Sequence, residues 1–351
     1  MARKRRSLVK RETKLMQEFL DKGEILQEWD LSIKRMKKIN NDYKIKTHKG
    51  EKILKIAFQE DRVMFMHLAL EHLAGQGCFQ GIPRLIPTKY GDFYVKSDLG
   101  IYYLTDWVGG KQGKRDELDQ VLAFARYLGE IHLSAMFFHA VPPWAIRERW
   151  DDIAQGMTEK TSWAEENLNH LPPEVQTAWA SYEIIAHKAA NLLKLAGYPA
   201  LVEAAKENKT FCHRRFEPGQ GIIAKGVTHI RHWEHCAYGV QVGDLVYFMQ
   251  QVMPYFQWNQ QIGEQIITSY HRTKHLSREE VMTLEAALMY PDTFVRFMKK
   301  CRLSKFPPDE FSKKFAQAHL EEQEKHRFIE AAFGGIRGKE GKSLPEDDEE
   351  A

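Results

Sequence analysis

The sequence predicts an α+β chain in which a small strand-rich lobe precedes a larger helical one, and three observations carry that prediction. Short runs of alternating character crowd residues 31–58. Apolar residues recur at helical spacing from Glu60 and dominate from Glu117 onward. With 351 residues, 43% of them hydrophobic, the chain can bury a core large enough for two lobes.

Residues 1–22 hold a basic stretch, "ARKRRSLVKR", and an amphipathic helix carrying Leu15, Met16, Phe19 and Leu20. An N-lobe follows over residues 23–108. Its first strands are "LSIKRMKKIN", "DYKIKTHKG" and "EKILKIAF", separated by Asn-Asn-Asp and His-Lys-Gly turns. In "EDRVMFMHLALEHLAGQG" Val63, Met66, Leu70 and Leu73 share a helix face, and Gly75 and Gly77 mark its end. Two further strands are expected around "PTKYGDFYV" and "IYYLTDWV". The helical C-lobe, residues 109–335, is interrupted at "HAVPPW", "HLPPE", residues 210–248 and "KFPPDE", and "PEDDEEA" closes an acidic, disordered tail over 336–351.

A net charge of +3 provides no overall field to draw the chain onto nucleic acid. The charge is polarised between the ends, which read either as solvated tails or as docking arms. Cys78, Cys212, Cys236 and Cys301 form no C-x-x-C pair, which suggests reduced thiols in a protein made in the cytosol. No apolar run approaches the roughly 18 residues that cross a bilayer, and no signal-type segment follows the basic start. Neither membrane insertion nor export by a standard signal is expected.

The order of elements, with "EWDLSIKRMKKINNDYKIKTHKGEKILKIA", "EHLAGQG", "IPRLIPTKYGDFYV", "YYLTDWVGG" and "LGEIHLSA", resembles the protein-kinase-like fold of the aminoglycoside phosphotransferase and choline kinase group. Within that group the phrasing is most similar to the spore-coat-protein S (CotS-type) family of endospore-forming bacteria, over roughly residues 25 to 330. The resemblance implies a two-lobe fold with an antiparallel-sheet N-lobe. It also implies synthesis in the mother-cell cytoplasm, deposition in the spore coat during sporulation, and partners among other coat proteins or further copies of the chain.

Phosphoryl transfer requires neutralised phosphate charge, bound magnesium and a group to position or deprotonate the attacking hydroxyl. In "ILKIA" alternation puts Ile53, Lys55 and Ala57 on one strand face. Within this lobe pattern Lys55 would reach a nucleotide phosphate and pair with an acid of the next helix, Glu71 first and Glu60 second; alone it reads as a surface lysine. Lys55, Glu71, Thr105 and Trp107 are thus the residues of a vestigial nucleotide site. The phosphate-covering turn "KINNDYK" has no glycine to let backbone amides close on an anion, and Ile53 narrows the roof.

The stretch "TFCHRRFEPGQGIIAKGVTHIRHWEHCAYGVQVGDLVYF", residues 210–248, departs from the family pattern where the chemistry is done. His213 remains, but Arg214 replaces the glycine and Arg215 the catalytic aspartate. Gln220 stands for the magnesium-binding asparagine and His232 for the metal-binding aspartate. A guanidinium accepts no proton, and magnesium prefers oxygen ligands to imidazole. No catalytic residue and no cofactor is therefore expected at His213, Arg215, Gln220 and His232. Asp244 and His132 match architectural positions under and behind this loop.

His213, His229, His232 and His235 with Cys212 and Cys236 are metal-ligand types, but none has zinc-finger spacing, and a strand through residue 232 would spread the histidines over both faces. No metal site is expected. Arg214 and Arg215 either bind an anion or bridge Glu217 and Glu234. The leading expectation is a non-catalytic pseudokinase serving as a structural or assembly component of the spore coat. The alternative is a small-molecule phosphotransferase using Lys55 with the displaced acids Glu217, Glu234 and Asp244.

Overall fold

The computed structural model describes residues 25–39, 41–76, 81–303 and 307–337. The basic stretch, the leading helix, Gly77, Cys78 and the acidic tail lie outside them. The chain forms two compact units. The first takes the described residues up to Gln112 together with Phe138–Arg147 and Gly221–Ala237. The second takes Gly113–Phe137, Glu148–Gln220 and the described residues from Tyr238 onward. Two later segments thus join the strand-rich unit, an exchange that a single boundary at residue 108 does not capture.

In the first unit β1 (Ile33–Ile39), β2 (Asp42–Thr47), β3 (Gly50–Ala57), β4 (Val95–Ser97) and β5 (Gly100–Asp106) form an antiparallel sheet in the order β1-β2-β3-β5-β4. Alternation sends Tyr43, Ile45, Leu54, Tyr102 and Leu104 to one face, where they pack with Ile25, Leu26 and Trp29. Trp29 satisfies its indole N–H on the Ile86 carbonyl at 2.8 Å. β4 is shorter than the expected strand. Thr88 ties the preceding residues into a turn instead, its hydroxyl oxygen accepting from the amides of Tyr90 and Asp92, with Gly91 at φ +92.

Helix α1 (Glu60–Gly75) opens with Glu60 and Asp61, which favour the positive end of the helix dipole, and buries Val63, Met66, Leu70 and Leu73. A second sheet, β6 (Lys111–Gln112), β8 (Gly221–Ala224) and β9 (Val227–Ile230), is antiparallel in the order β6-β8-β9.

The second unit is mainly helical: α2 (Leu118–Ser134), α3 (Asp152–Asn167), α4 (Pro173–Leu195), α5 (Tyr198–Glu207), α6 (Val242–Val252), α7 (Gln260–His271), α8 (Arg278–Met289), α9 (Asp292–Leu303) and α10 (Pro308–Arg337). Short strands β7 (Phe211–Cys212) and β10 (Ala237–Tyr238) lie within the long interruption, residues 210–248, read from the sequence. Prolines set the starts of α4 and α5, and Ser277 with Glu280 forms a reciprocal capping box on α8. Phe124, Trp179, Phe211, Phe216, Tyr270 and Leu284 are fully buried in this unit. Among the described residues no helix is long and apolar enough to cross a membrane.

Candidate functional site

Lys55 lies opposite Tyr103, and Ile53 opposite Thr105, in the antiparallel pairing of β3 with β5. These four side chains and Trp107 line a cleft of about 80 Å³ in the first unit. Gly81 also lines it, and a Cβ there would meet the Thr228 carbonyl oxygen at 2.3 Å with φ at +107, so that close approach needs glycine. Asp42, Arg231, His232 and Glu234 make the cleft's charged end.

Lys55 Nζ lies 3.6 Å from Glu234 Oε2, and the two side chains are only 13% and 24% exposed. His232 Nδ1 lies 2.9 Å from the other oxygen, Oε1. Burial pushes the Glu234 carboxyl up, but the His232 hydrogen bond and the Lys55 charge outweigh it and hold the group well below the usual carboxylate range. Burial raises Asp42 on the same wall, against the opposing pull of Lys55. One ammonium and one ionised carboxylate therefore neutralise each other at this end of the cleft.

The expected pairing of Lys55 with α1 is corrected. Glu71 instead receives Arg84, with Nε 2.8 Å from Oε1, and does not line the cleft. Glu60 takes Lys96 at 2.6 Å and the Tyr94 hydroxyl. A guanidinium fork matches a carboxylate with two parallel bonds, so Arg84 holds Glu71 and leaves Lys55 to Glu234.

The strand through residue 232 is also corrected. β9 ends at Ile230, His232 sits in left-handed backbone at φ +65, and Trp233–His235 form a 3-10 turn held by the Trp233 indole on the Ile230 carbonyl at 3.0 Å. This turn carries Glu234 to Lys55, and no alternation of side chains across 229–235 exists to be counted. The trio with metal-ligand chemistry that does gather among the described residues lies in the other unit: Glu165, Glu183 and His187 on α3 and α4.

In the second unit Asp244, on α6 and 1% exposed, accepts the backbone N–H groups of His213 at 2.7 Å and Arg214 at 2.6 Å. His132 of α2 is fully buried, with Nε2 3.2 Å from Asp244 Oδ2 and Nδ1 2.7 Å from the Tyr270 hydroxyl. Burial lowers the His132 pKa and keeps the ring neutral. A carboxylate only accepts, so Nε2–H donates to Asp244 and Nδ1 accepts from Tyr270. Burial pushes Asp244 up, yet the hydrogen bonds from His132 and from the His213 amide hold it below the ordinary range.

This carboxylate fixes the backbone of the loop, and Arg214 occupies it in left-handed geometry at φ +71. The Arg214 guanidinium is bonded to Asp152 at the start of α3. Arg215 is exposed, and its amide donates to His213 Nδ1 at 3.2 Å. Glu217, 2% exposed, is held bidentately by Arg115, with Nη2 2.7 Å from Oε1, and Gln220 Nε2 donates to the same oxygen at 3.3 Å. Of the two alternatives for Arg214 and Arg215, the bridge to Glu217 and Glu234 is not made: Arg115 holds the first acid, Lys55 and His232 hold the second, and Asp152 takes Arg214. Arg115 and Asp152 are the functional neighbours that sequence reasoning missed, and no local spacing signals either one.

No protein-family model matches the chain. Solved structures share its fold. An aminoglycoside phosphotransferase from Alicyclobacillus acidocaldarius subsp. acidocaldarius DSM 446 aligns with a TM-score of 0.77 at 15% identity, covering 90% of this chain and 96% of that one. The amicoumacin kinase hAmiN, solved with AMP-PNP, Ca2+ and Ami, aligns at 0.58 and 13%, covering 89% and 93%. A microcompartment-associated aminopropanol kinase aligns at 0.55 and 14%, covering 88% and 97%. Identities this low carry the architecture alone: the chain has the α+β, kinase-like fold of small-molecule phosphotransferases.

Proposed function

We propose that this protein is a non-catalytic, kinase-like component of the bacterial spore coat, made in the mother-cell cytoplasm and working through assembly with coat proteins or with its own copies. The observation that carries the non-catalytic part is His232, which lines the Lys55 cleft with its Nδ1 2.9 Å from Glu234 Oε1, an imidazole where the resemblance calls for a metal-binding carboxylate. Arg215 cannot take a proton from a substrate hydroxyl, and His232 offers nitrogen to a hard cation that wants oxygen. The coat assignment rests on the resemblance of residues 25–330 to the CotS-type family.

A second reading, a small-molecule phosphotransferase using Lys55 with Glu217, Glu234 and Asp244, draws support from the activities named for the fold neighbours. Against it, each displaced acid is already engaged: Glu217 by Arg115, Glu234 by Lys55 and His232, and Asp244 by two backbone amides and His132.

ADP release with magnesium-ATP and panels of sugars, amino alcohols and aminoglycosides tests the two readings. The expected rate equals background for the wild type and for Lys55→Ala alike. Robust turnover abolished by Lys55→Ala would install the phosphotransferase reading. A fluorescent fusion expressed during sporulation tests the location, and a diffuse cytoplasmic signal would remove the coat assignment.

A further inference from the structure

The second unit carries a cleft of its own, about 200 Å³, which shares Asp152, Arg214 and Asp244 with the loop anchorage described above. That space exceeds the roughly 150 Å³ of a cavity that holds benzene. Arg149, Trp150, Asp152, Lys160, Arg214 and Tyr238 are among the residues that line it.

Its acids are all engaged. Asp152 is bonded to Arg214, and Asp292 takes Lys160 at 2.6 Å and Arg296 at 3.2 Å. Asp244 is held by the two loop amides and His132. The cations are not all engaged. Arg149 is exposed and makes no close ion pair among the described residues, acting on Asp152 only through its charge. Arg214 reaches Asp152 through Nη2, and a guanidinium has five N–H donors to offer. The same cleft has an aromatic wall, Trp150 stacked on Tyr238 with centroids 5.2 Å apart and planes 19° from parallel.

The backbone adds a second, independent sign. Arg214 is held at φ +71, where a side chain costs on the order of 1 kcal/mol that glycine would avoid. The chain keeps an arginine at this strained position, and its guanidinium stands in the cleft wall. An organic cation would find no unengaged carboxylate there, and burial moreover raises Asp152, which weakens it as a counterion.

We propose that this cleft binds a small aromatic anion, an aryl carboxylate or aryl phosphate, with its charge on the Arg149 and Arg214 guanidinium groups and its ring against Trp150. Calorimetric titration of the full chain with benzoate, phenyl phosphate, inorganic phosphate and benzylamine tests this. At least one aryl anion binds, inorganic phosphate binds more weakly than phenyl phosphate, and benzylamine does not bind. A preference for benzoate identifies a carboxylate ligand; the reverse identifies a phosphate.

Arg149→Ala and Trp150→Ala each weaken the better aryl anion tenfold or more. Arg149→Lys, which keeps the charge and loses the fork, falls between wild type and Arg149→Ala. Arg149 is exposed, so its variants keep the wild-type melting temperature and report on binding alone. Benzylamine binding as tightly as the aryl anions, no heat from either aryl anion at millimolar concentration, or unchanged affinity in Arg149→Ala would each overturn the proposal.

Discussion

The ammonium of Lys55 faces the carboxylate of Glu234 at 3.6 Å, in a cleft where both side chains are largely withdrawn from water. The lysine comes from a sheet strand and the acid from a 3-10 turn, so their encounter is a property of the folded unit. It gives the charged end of the cleft a stability role of its own.

That role is measurable by a double-mutant cycle. Glu234→Gln leaves Lys55 without its counter-charge in a site 13% exposed, and Lys55→Met leaves Glu234 with only His232. Each single change should cost about 1–3 kcal/mol, because removing one partner of a mostly buried pair leaves the other unsatisfied. The double variant should lose clearly less than the sum of the singles in urea unfolding. Strict additivity would mean the pair contributes nothing.

The same carboxylate sets an acid limb of stability. The Glu234 pKa is depressed in the folded protein relative to its ordinary value of 4.5. Folding is therefore favoured by the full amount above pH 4.5, and the gain is lost as pH falls toward the depressed folded value. Asp42, raised by burial, works with the opposite sign: its contribution is greatest at acid pH and is lost as pH rises through its folded value. The stability gap between wild type and Glu234→Gln should narrow below pH 4.5, and a gap constant down to strong acid would contradict the assignment.

Asp244 should matter to folding independently of any chemistry. Asp244→Ala orphans the amides of His213 and Arg214 and removes the His132 acceptor, at about 1–3 kcal/mol for each buried group left unpaired. Asp244→Asn keeps one acceptor oxygen and should fall between the two. Chemical denaturation reads the series directly, and an unchanged midpoint in Asp244→Ala would show that the loop is not held from this residue.

Magnesium-ATP at millimolar concentration should leave the melting temperature unchanged. A ligand that binds only the folded state adds about 2.7 kcal/mol at 100 times its Kd, so even modest affinity would be visible. A magnesium-dependent rise abolished by Lys55→Met would place a nucleotide in the first unit's cleft.

The strands were legible because alternation and turn residues agree. Asn-Asn-Asp and His-Lys-Gly fall between β1, β2 and β3, and Tyr43, Ile45 and Leu54 bury the face that alternation assigns. Helix α1 was legible from Val63, Met66, Leu70 and Leu73. What failed were choices among partners of equal chemistry. Lys55 had several acids within reach of a sequence argument, and only the folded path of residues 81–84 brings Arg84 to Glu71 and frees the lysine for Glu234. Glu217 finds Arg115, and Arg214 finds Asp152, across separations at which no periodicity operates. The left-handed turn at His232 was hidden because positive φ is uncommon for any residue but glycine, even for histidine, which is enriched there.

The carboxylate beneath residues 213 and 214 has a consequence for how this loop changes over evolutionary time. Its path is set by main-chain amides anchored on Asp244, which is itself steadied by His132 and, through the ring, by Tyr270. The side chains at 214 and 215 take no part in that anchorage. They are interchangeable fittings on a fixed mount, subject at 214 to the one condition that the newcomer tolerate a left-handed backbone, which glycine, asparagine and aspartate do most readily. Exchanging an arginine pair for a glycine–aspartate pair, or the reverse, leaves the mount where it is. What the loop displays and where it stands are thus separable, the first written in the side chains at 214 and 215 and the second in Asp244.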